Sequence, residues 1–182
     1  METTLEKKLG NFISSIKKSI EEENWYSALA VSLMLPDICG NLEWPNKKST
    51  SRYIKWFKEN LQEQTYTSYI GADRKKHVFL TGDDCYGLRC SYLHAGQDNI
   101  NAQSVQKALN EFVFVAPEPN TYLHRNYKVD SDGQKLQLQI DKFCLEICEG
   151  VENWIDRVKN NTDIQERARN MMEIQSIYSL RF

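Results

Sequence analysis

The sequence lacks the features that would take a chain into a membrane. No apolar run reaches the roughly 20 residues that a membrane-spanning helix needs, and Met1–Lys8 has no apolar stretch of the kind found in a signal peptide. Only four prolines and eight glycines occur in 182 residues, so no long flexible linker is evident. We therefore expect one domain over residues 1–182, with no membrane association.

Cysteines are few and odd in number. The five are scattered, with no Cys-x-x-Cys pair, which argues against a disulfide framework. We expect reduced thiols in a cytoplasmic protein. The net charge of −2 also excludes a chain-wide basic field that would attract nucleic acid. Any contact with RNA must come from a local basic patch or from a groove between two subunits.

What the sequence does contain is helical periodicity. Apolar residues recur every three or four positions in several segments, which predicts a mainly α-helical fold. We expect Pro36 to kink or end the second helix and Gly40 to stop it. The aromatic residues of the third helix fit a core stripe better than a base-stacking platform. The expected helices cover residues 3–22, 25–39, 49–61, 81–95, 140–158 and 162–180, with a further helical turn or two at 102–109.

A β segment interrupts the helices. Three stretches with β-branched, aromatic or alternating residues predict strands near residues 111–116, 121–129 and 135–140. We expect a small antiparallel sheet or hairpin inserted at about 111–140. Residues 66–79 are expected to form an irregular connection.

The segment Leu80–Gly96 carries the candidate functional residues. Thr81 is a suitable N-cap with Asp84 three residues later, and Gly96 suits the left-handed conformation just past a helix end. Within this helix lie Arg89 and His94. Five residues turn an ideal helix by about 500°, so the two side chains point about 140° apart and can only flank a cleft or a symmetry axis.

These two residue types suit phosphate chemistry. Helix-end carbonyls favour a charged His94 while a nearby guanidinium disfavours it, which could keep the imidazole able to move protons near neutrality. Arg89 stays protonated, so it can bind phosphate or stabilise a phosphorane. Two other interpretations stay open. The pair could simply cap carbonyls and bridge helices, or Cys90 and His94, four residues apart, could bind zinc.

The string Arg89-Cys-Ser-Tyr-Leu-His94 resembles the Arg-x4–6-His signature of the HEPN superfamily, and Tyr86–Gly96 is similar to uncharacterised bacterial proteins of that group. The resemblance implies an up-and-down bundle of four to six helices. It also implies a metal-independent endoribonuclease without cofactors, in which Arg89 and His94 act at a homodimer interface and the RNA 2′-hydroxyl attacks the adjacent phosphate. Many active members carry Asn, Asp or His where this chain has Cys90.

Further residues are weaker candidates for substrate binding. Tyr86 and Tyr92 could orient RNA beside the Arg–His pair, and Arg74, Lys75 and Lys76 form the densest basic cluster. That cluster fits a solvated loop better than an RNA contact. The alternative function is a non-catalytic HEPN-like interaction or nucleotide-binding module, with an antitoxin or another defence-system protein as its partner.

Overall fold

The protein is mainly α-helical, as the periodicity predicts. The computed structural model describes residues 2–98, 111–131, 133–174 and 177. No helix in this described part is long and apolar enough to cross a bilayer. The turn expected at residues 102–109 lies outside the described ranges. The helices are α1 (Thr4–Glu21), α2 (Trp25–Glu43), α3 (Ser49–Phe57), α4 (Gly82–Ala95), α5 (Ile140–Val158) and α6 (Thr162–Arg169).

The last helix is shorter than expected. It ends at Arg169 rather than near residue 180. The Lys8 ammonium on α1 donates to the carbonyl of Met171 at 3.0 Å and to Glu173 at 2.9 Å. These bonds hold the chain that follows α6 against α1. Residues 175, 176 and 178–180 of the expected helix lie outside the described ranges.

Helix α2 ends at neither Pro36, which was expected to kink or end it, nor Gly40, which was expected to stop it. It continues through Pro36 and Gly40 as far as Glu43. Gly40 has a packing role instead, because a Cβ there would lie 2.9 Å from the backbone oxygen of Arg52 on α3. Glycine therefore lets the backbones of α2 and α3 approach closely, and burial of this helix outweighs the cost of an internal proline.

Helix α3 begins at Ser49 with Lys48 as its N-cap, and Lys48 provides no capping side-chain hydrogen bond. A π-helical turn over Lys58–Gln62 follows the helix. The aromatic stripe of Tyr53, Trp56 and Phe57 is completely buried. The core interpretation of that stripe is therefore confirmed, since buried rings have no free face for a base.

The inserted sheet has three strands and mixed pairing. Strand β4 pairs antiparallel with β5, as expected, but β3 pairs parallel with β5, which occupies the centre. The expectation of a purely antiparallel sheet was wrong. β3 and β5 can run parallel because the chain between them crosses to the other edge and forms β4 there. The strands are β3 (Glu111–Val115), β4 (Asn126–Asp130) and β5 (Gly133–Gln139).

A β-hairpin occupies the segment for which an irregular connection was expected. Strands β1 (Thr67–Ile70) and β2 (Lys75–Val78) pair antiparallel, with Thr67 opposite Val78. The residues next to the turn are exposed, namely Tyr69 and Ile70 on β1 and Lys75 and Lys76 on β2. Because the hairpin buries little apolar surface, its sequence carries no clear alternation of polar and apolar residues.

A second glycine fixes the position of α4 against α3. A Cβ on Gly82, at the start of α4, would lie 2.7 Å from the backbone oxygen of Ile54. Together, Gly40 and Gly82 bring the backbones of α2 and α4 against α3. This close approach sets the distances between the side chains of the candidate site.

We expect Gly82→Ala to lower the free energy of unfolding by about 1–3 kcal/mol, because the new methyl group forces α3 and α4 apart. Gly10→Ala is the matched control. It lies within α1, where a Cβ would meet nothing within 4 Å, so it should stabilise by about 0.5–1 kcal/mol. Urea denaturation measures both. Equal stability of Gly82→Ala and wild type would contradict the close contact of α3 with α4.

Candidate functional site

Helix α4 begins and ends at the residues expected from the sequence. The Thr81 hydroxyl accepts a hydrogen bond from the amide of Asp84 at 3.1 Å and donates to its carboxylate at 2.6 Å. At the other end Gly96 has φ +64°, and its amide donates to the carbonyl of Tyr92. These caps fix which residues face the core, so they also fix the directions of Arg89 and His94.

Arg89 is directed toward α2. Its Nη2 lies 3.4 Å from Oδ2 of Asp37, and its guanidinium carbon lies 5.9 Å from the centre of the Tyr86 ring. The side chain is 20% exposed. Its Nε is buried and has no hydrogen-bond acceptor in the described part of the chain. Of the five N–H donors of this guanidinium, the described chain therefore supplies an acceptor only at Nη2, which is the carboxylate of Asp37.

Asp37 connects three helices. Besides Arg89 on α4, its carboxylate accepts from Nε of Arg52 at 2.8 Å and from the Ser49 hydroxyl at 3.0 Å, both on α3. One carboxylate therefore faces two guanidinium groups. The cluster of Asp37, Ser49, Arg52 and Arg89 carries a net positive charge and lies at the α2–α3–α4 junction.

His94 has a different environment. It lies in the last turn of α4 and is exposed. No described residue makes a hydrogen bond, ion pair or ring contact with it. The other two histidines of the chain are engaged, because His77 packs its ring on Phe79 and Tyr127 and His124 is buried. His94 is thus the exposed imidazole whose nitrogens are open to a ligand.

Within one chain, the structure does not bring Arg89 and His94 together. Arg89 faces the α2–α3 side and contacts Asp37, whereas His94 faces solvent. Their five-residue separation corresponds to about 7.5 Å along the helix axis and about 140° around it. A phosphate that meets both groups must therefore lie in a cleft beside α4 or in a groove shared with a second molecule.

The two tyrosines of the motif have structural contacts. The Tyr86 hydroxyl accepts from Thr50 at 2.9 Å, and its ring packs edge-on against Tyr53. The Tyr92 hydroxyl donates to the backbone carbonyl of Tyr26 at 3.2 Å, and burial raises the pKa of Tyr92 above its ordinary value. Both rings remain half-buried beside α4.

The basic cluster lies on the β1–β2 hairpin, which connects directly to α4. Arg74 occupies the hairpin turn with φ +47°, near the ring of Tyr69. Lys75 and Lys76 are exposed, and Lys76 pairs with Glu63 at 2.6 Å. In the described chain, no hydrogen bond, ion pair or ring contact connects the cluster to Arg89 or His94, so its role in substrate binding stays a prediction.

A buried polar network was not predicted. The carboxylate of Glu146 on α5 accepts from the Tyr66 hydroxyl at 2.6 Å, from Arg125, and from Nε2 of His124 at 3.0 Å. The backbone amide of Gln139 donates to Nδ1 of His124, so Nε2 carries the proton that Glu146 accepts. From the sequence, His124 and Arg125 had no identifiable partner, because Glu146 is 21 to 22 residues away.

These donors determine the ionisation of Glu146. Burial by itself would raise the pKa of this carboxyl, but hydrogen bonds from His124, Tyr66 and Arg125 outweigh burial and lower the pKa below its ordinary value of 4.5. Burial, with the Glu146 carboxylate adding to it, raises the pKa of Tyr66 well above its ordinary value. The network joins the loop before β4 to α5, which makes it a structural connection.

No metal centre is visible among the described residues. Nowhere in them do three His, Cys, Asp or Glu side chains come together as a metal site would require. Cys90 is half-buried while His94 is exposed. The zinc interpretation therefore lacks a third ligand in the described residues.

Comparison of the chain with protein-family models, with curated proteins and with solved structures finds no match. The resemblance to the HEPN superfamily therefore stays a prediction. Any function assigned to the chain depends on the geometry of its own residues.

We expect Glu146→Gln to lower the free energy of unfolding by about 2–3 kcal/mol near pH 7, because a neutral amide loses the charge-assisted hydrogen bonds. The pKa of Glu146 is lowered in the folded state, so its contribution is present above about pH 4.5 and disappears as the pH falls through the folded-state pKa. Urea denaturation at about pH 7 and about pH 3 measures this change.

The control for this experiment is Glu149→Gln, an exposed position on the same helix. It should change stability by less than about 0.5 kcal/mol. If both variants were equally stable at neutral pH, the Glu146 network would not contribute as described.

Proposed function

We propose that this protein is a metal-independent endoribonuclease of the HEPN type, built on an up-and-down helical bundle. It acts as a homodimer in the cytoplasm, with Arg89 and His94 of two α4 helices sharing one groove. The five cysteines are free thiols, which supports a reducing compartment. The observation that carries the proposal is the exposed imidazole of His94, which has no partner in the described chain. The same helix carries Arg89, whose Nε has no hydrogen-bond acceptor in the described chain.

The chemistry follows from these two groups. His94 removes the proton from a ribose 2′-hydroxyl, and the 2′-oxygen attacks the adjacent phosphorus. Arg89 stabilises the extra negative charge on the non-bridging oxygens of the phosphorane. The bond to the 5′-oxygen breaks, and that oxygen takes a proton from an imidazolium. The products are a 2′,3′-cyclic phosphate and a 5′-hydroxyl.

The directions of the side chains support a dimer. Arg89 and His94 point about 140° apart on one helix, so a groove between two α4 helices is the arrangement that we propose for one shared phosphate. Two copies packed around a two-fold axis can present the Arg89 of one subunit and the His94 of the other. Tyr86, Tyr92 and the basic hairpin with Arg74, Lys75 and Lys76 would then contact the RNA on either side.

One observation favours the second candidate function. The ion pair of Arg89 with Asp37 gives the arginine a structural partner within its own chain. If that is its whole role, the protein is a non-catalytic interaction or nucleotide-binding module, with an antitoxin or another defence-system protein as its partner.

We expect the purified protein, with EDTA present, to cleave a fluorescent single-stranded RNA and to leave 2′,3′-cyclic phosphate ends. Arg89→Ala and His94→Ala should each slow cleavage at least about a hundredfold, because each removes a group that acts in the transition state. Gel electrophoresis measures the rates, and mass spectrometry identifies the ends.

Arg169→Ala is the control, since this exposed arginine pairs only with Glu166 on α6 among the described residues. It should cleave at the wild-type rate, and circular dichroism should show that all variants fold. Intact RNA in the presence of wild-type protein, or undiminished cleavage by both variants, would refute the enzyme proposal and leave the interaction module.

A further inference from the structure

The junction of α2, α3 and α4 holds more positive charge than its carboxylate neutralises. Asp37 faces two guanidinium groups, those of Arg52 and Arg89. The side chains of Arg52 and Arg89 are each 20% exposed, and that of Asp37 is 17% exposed. The cluster is therefore largely buried but still reaches solvent. Partial burial weakens solvent screening, so an unpaired positive charge here attracts an anion more strongly than it would on an open surface.

The hydrogen-bond inventory of the two arginines supports this. A guanidinium has five N–H donors, yet only Nε of Arg52 and Nη2 of Arg89 have an acceptor in the described chain. Nε of Arg89 is buried without any acceptor there. Buried donors are nearly always satisfied in folded proteins. No other nitrogen of these two side chains is buried without a partner in the described chain, so the remaining donors are open to water or to an acceptor-rich ligand.

The cluster also lies at the start of α3. The helix begins at Ser49, with Lys48 before it, and Lys48 gives no capping side-chain hydrogen bond. The Ser49 hydroxyl is already bound to Asp37. The partial positive charge of the helix start therefore adds to that of the two guanidinium groups.

We infer that Arg52 is a second phosphate-binding residue, which acts beside Arg89 on one phosphodiester of single-stranded RNA. The inference rests on the proposed function, because it names a substrate contact of that same site. Asp37 contacts both guanidinium groups and keeps them side by side, and Gly40 lets the Arg52 backbone approach α2. Two planar forks match the non-bridging oxygens of a phosphate in a way that one ammonium group cannot.

The test measures binding separately from cleavage. The probe is a fluorescent single-stranded 2′-O-methyl RNA, which keeps the phosphodiesters but lacks the attacking hydroxyl. Fluorescence anisotropy at fixed salt gives the Kd. We expect Arg52→Ala to weaken binding at least about tenfold, as the loss of one charge-assisted contact predicts. Arg52→Lys should weaken it at least about threefold, since it keeps the charge but loses the fork.

Arg167→Ala is the matched control. Arg167 is also half-buried and donates from Nε to one acceptor, the carbonyl of Leu42, and it makes no hydrogen bond or ion pair with Asp37, Ser49, Arg52 or Arg89. This variant should bind the probe within about twofold of wild type. Melting curves identify any variant that fails to fold, and if Arg52→Ala unfolds, Arg52→Lys decides the question.

The outcomes separate this inference from the proposed function. The inference is overturned if the Arg52 variants bind like Arg167→Ala, or if wild type does not bind the probe. His94→Ala should bind the probe like wild type while losing cleavage of unmodified RNA. If wild type binds the probe through Arg52 but leaves unmodified RNA intact, the phosphate site stands and the nuclease proposal falls.

Discussion

The carboxylate of Asp37 is the interaction on which the candidate site depends. Asp37 lies on α2. Its carboxylate accepts hydrogen bonds from Ser49 and Arg52 on α3 and forms an ion pair with Arg89 on α4. Without it, two half-buried guanidinium groups would face each other with no counter-charge, an arrangement that is costly at low solvent exposure. The same carboxylate that stabilises the helix junction thus determines where Arg89 can point.

The glycines at the junction make this arrangement possible. Gly40 and Gly82 each lie where a Cβ would collide with a backbone oxygen of α3. The three helices can therefore approach until short side chains such as Asp37 and Ser49 meet. The position of the candidate residue Arg89 thus depends on two glycines, which contribute by having no side chain.

Much of the helical architecture could be predicted from the sequence, because periodicity and caps are local signals. Helix α5 follows its pattern over its whole length, and α4 begins after Thr81 and ends at Gly96 as its caps indicate. The failures are non-local. The sequence around Gly40 indicates a helix stop, because nothing local shows that α3 packs against this residue. The parallel pairing of β3 with β5 likewise depends on a strand inserted between them in the chain.

The polar clusters show the same limit. The motif identified Arg89 and His94, but Asp37 is 52 residues from Arg89, and Tyr66 is 80 residues from Glu146. Helix and strand periodicity relate residues only a few positions apart, so a single sequence does not show which residues at such separations are in contact. The sequence therefore predicted the helix that carries the site, whereas the partners that orient its arginine became visible only in three dimensions.

In the proposed mechanism, Arg89 and His94 act together across two subunits. Mixing the Arg89→Ala and His94→Ala variants tests this pairing, because each variant alone lacks one group, whereas a mixed dimer keeps one Arg89 and one His94 on opposite chains. Native mass spectrometry confirms that mixed dimers form. We expect RNA cleavage, which either variant alone slows at least about a hundredfold, to return in the mixture. If the mixed dimers cleave RNA no faster than the single variants, Arg89 and His94 do not act across two subunits.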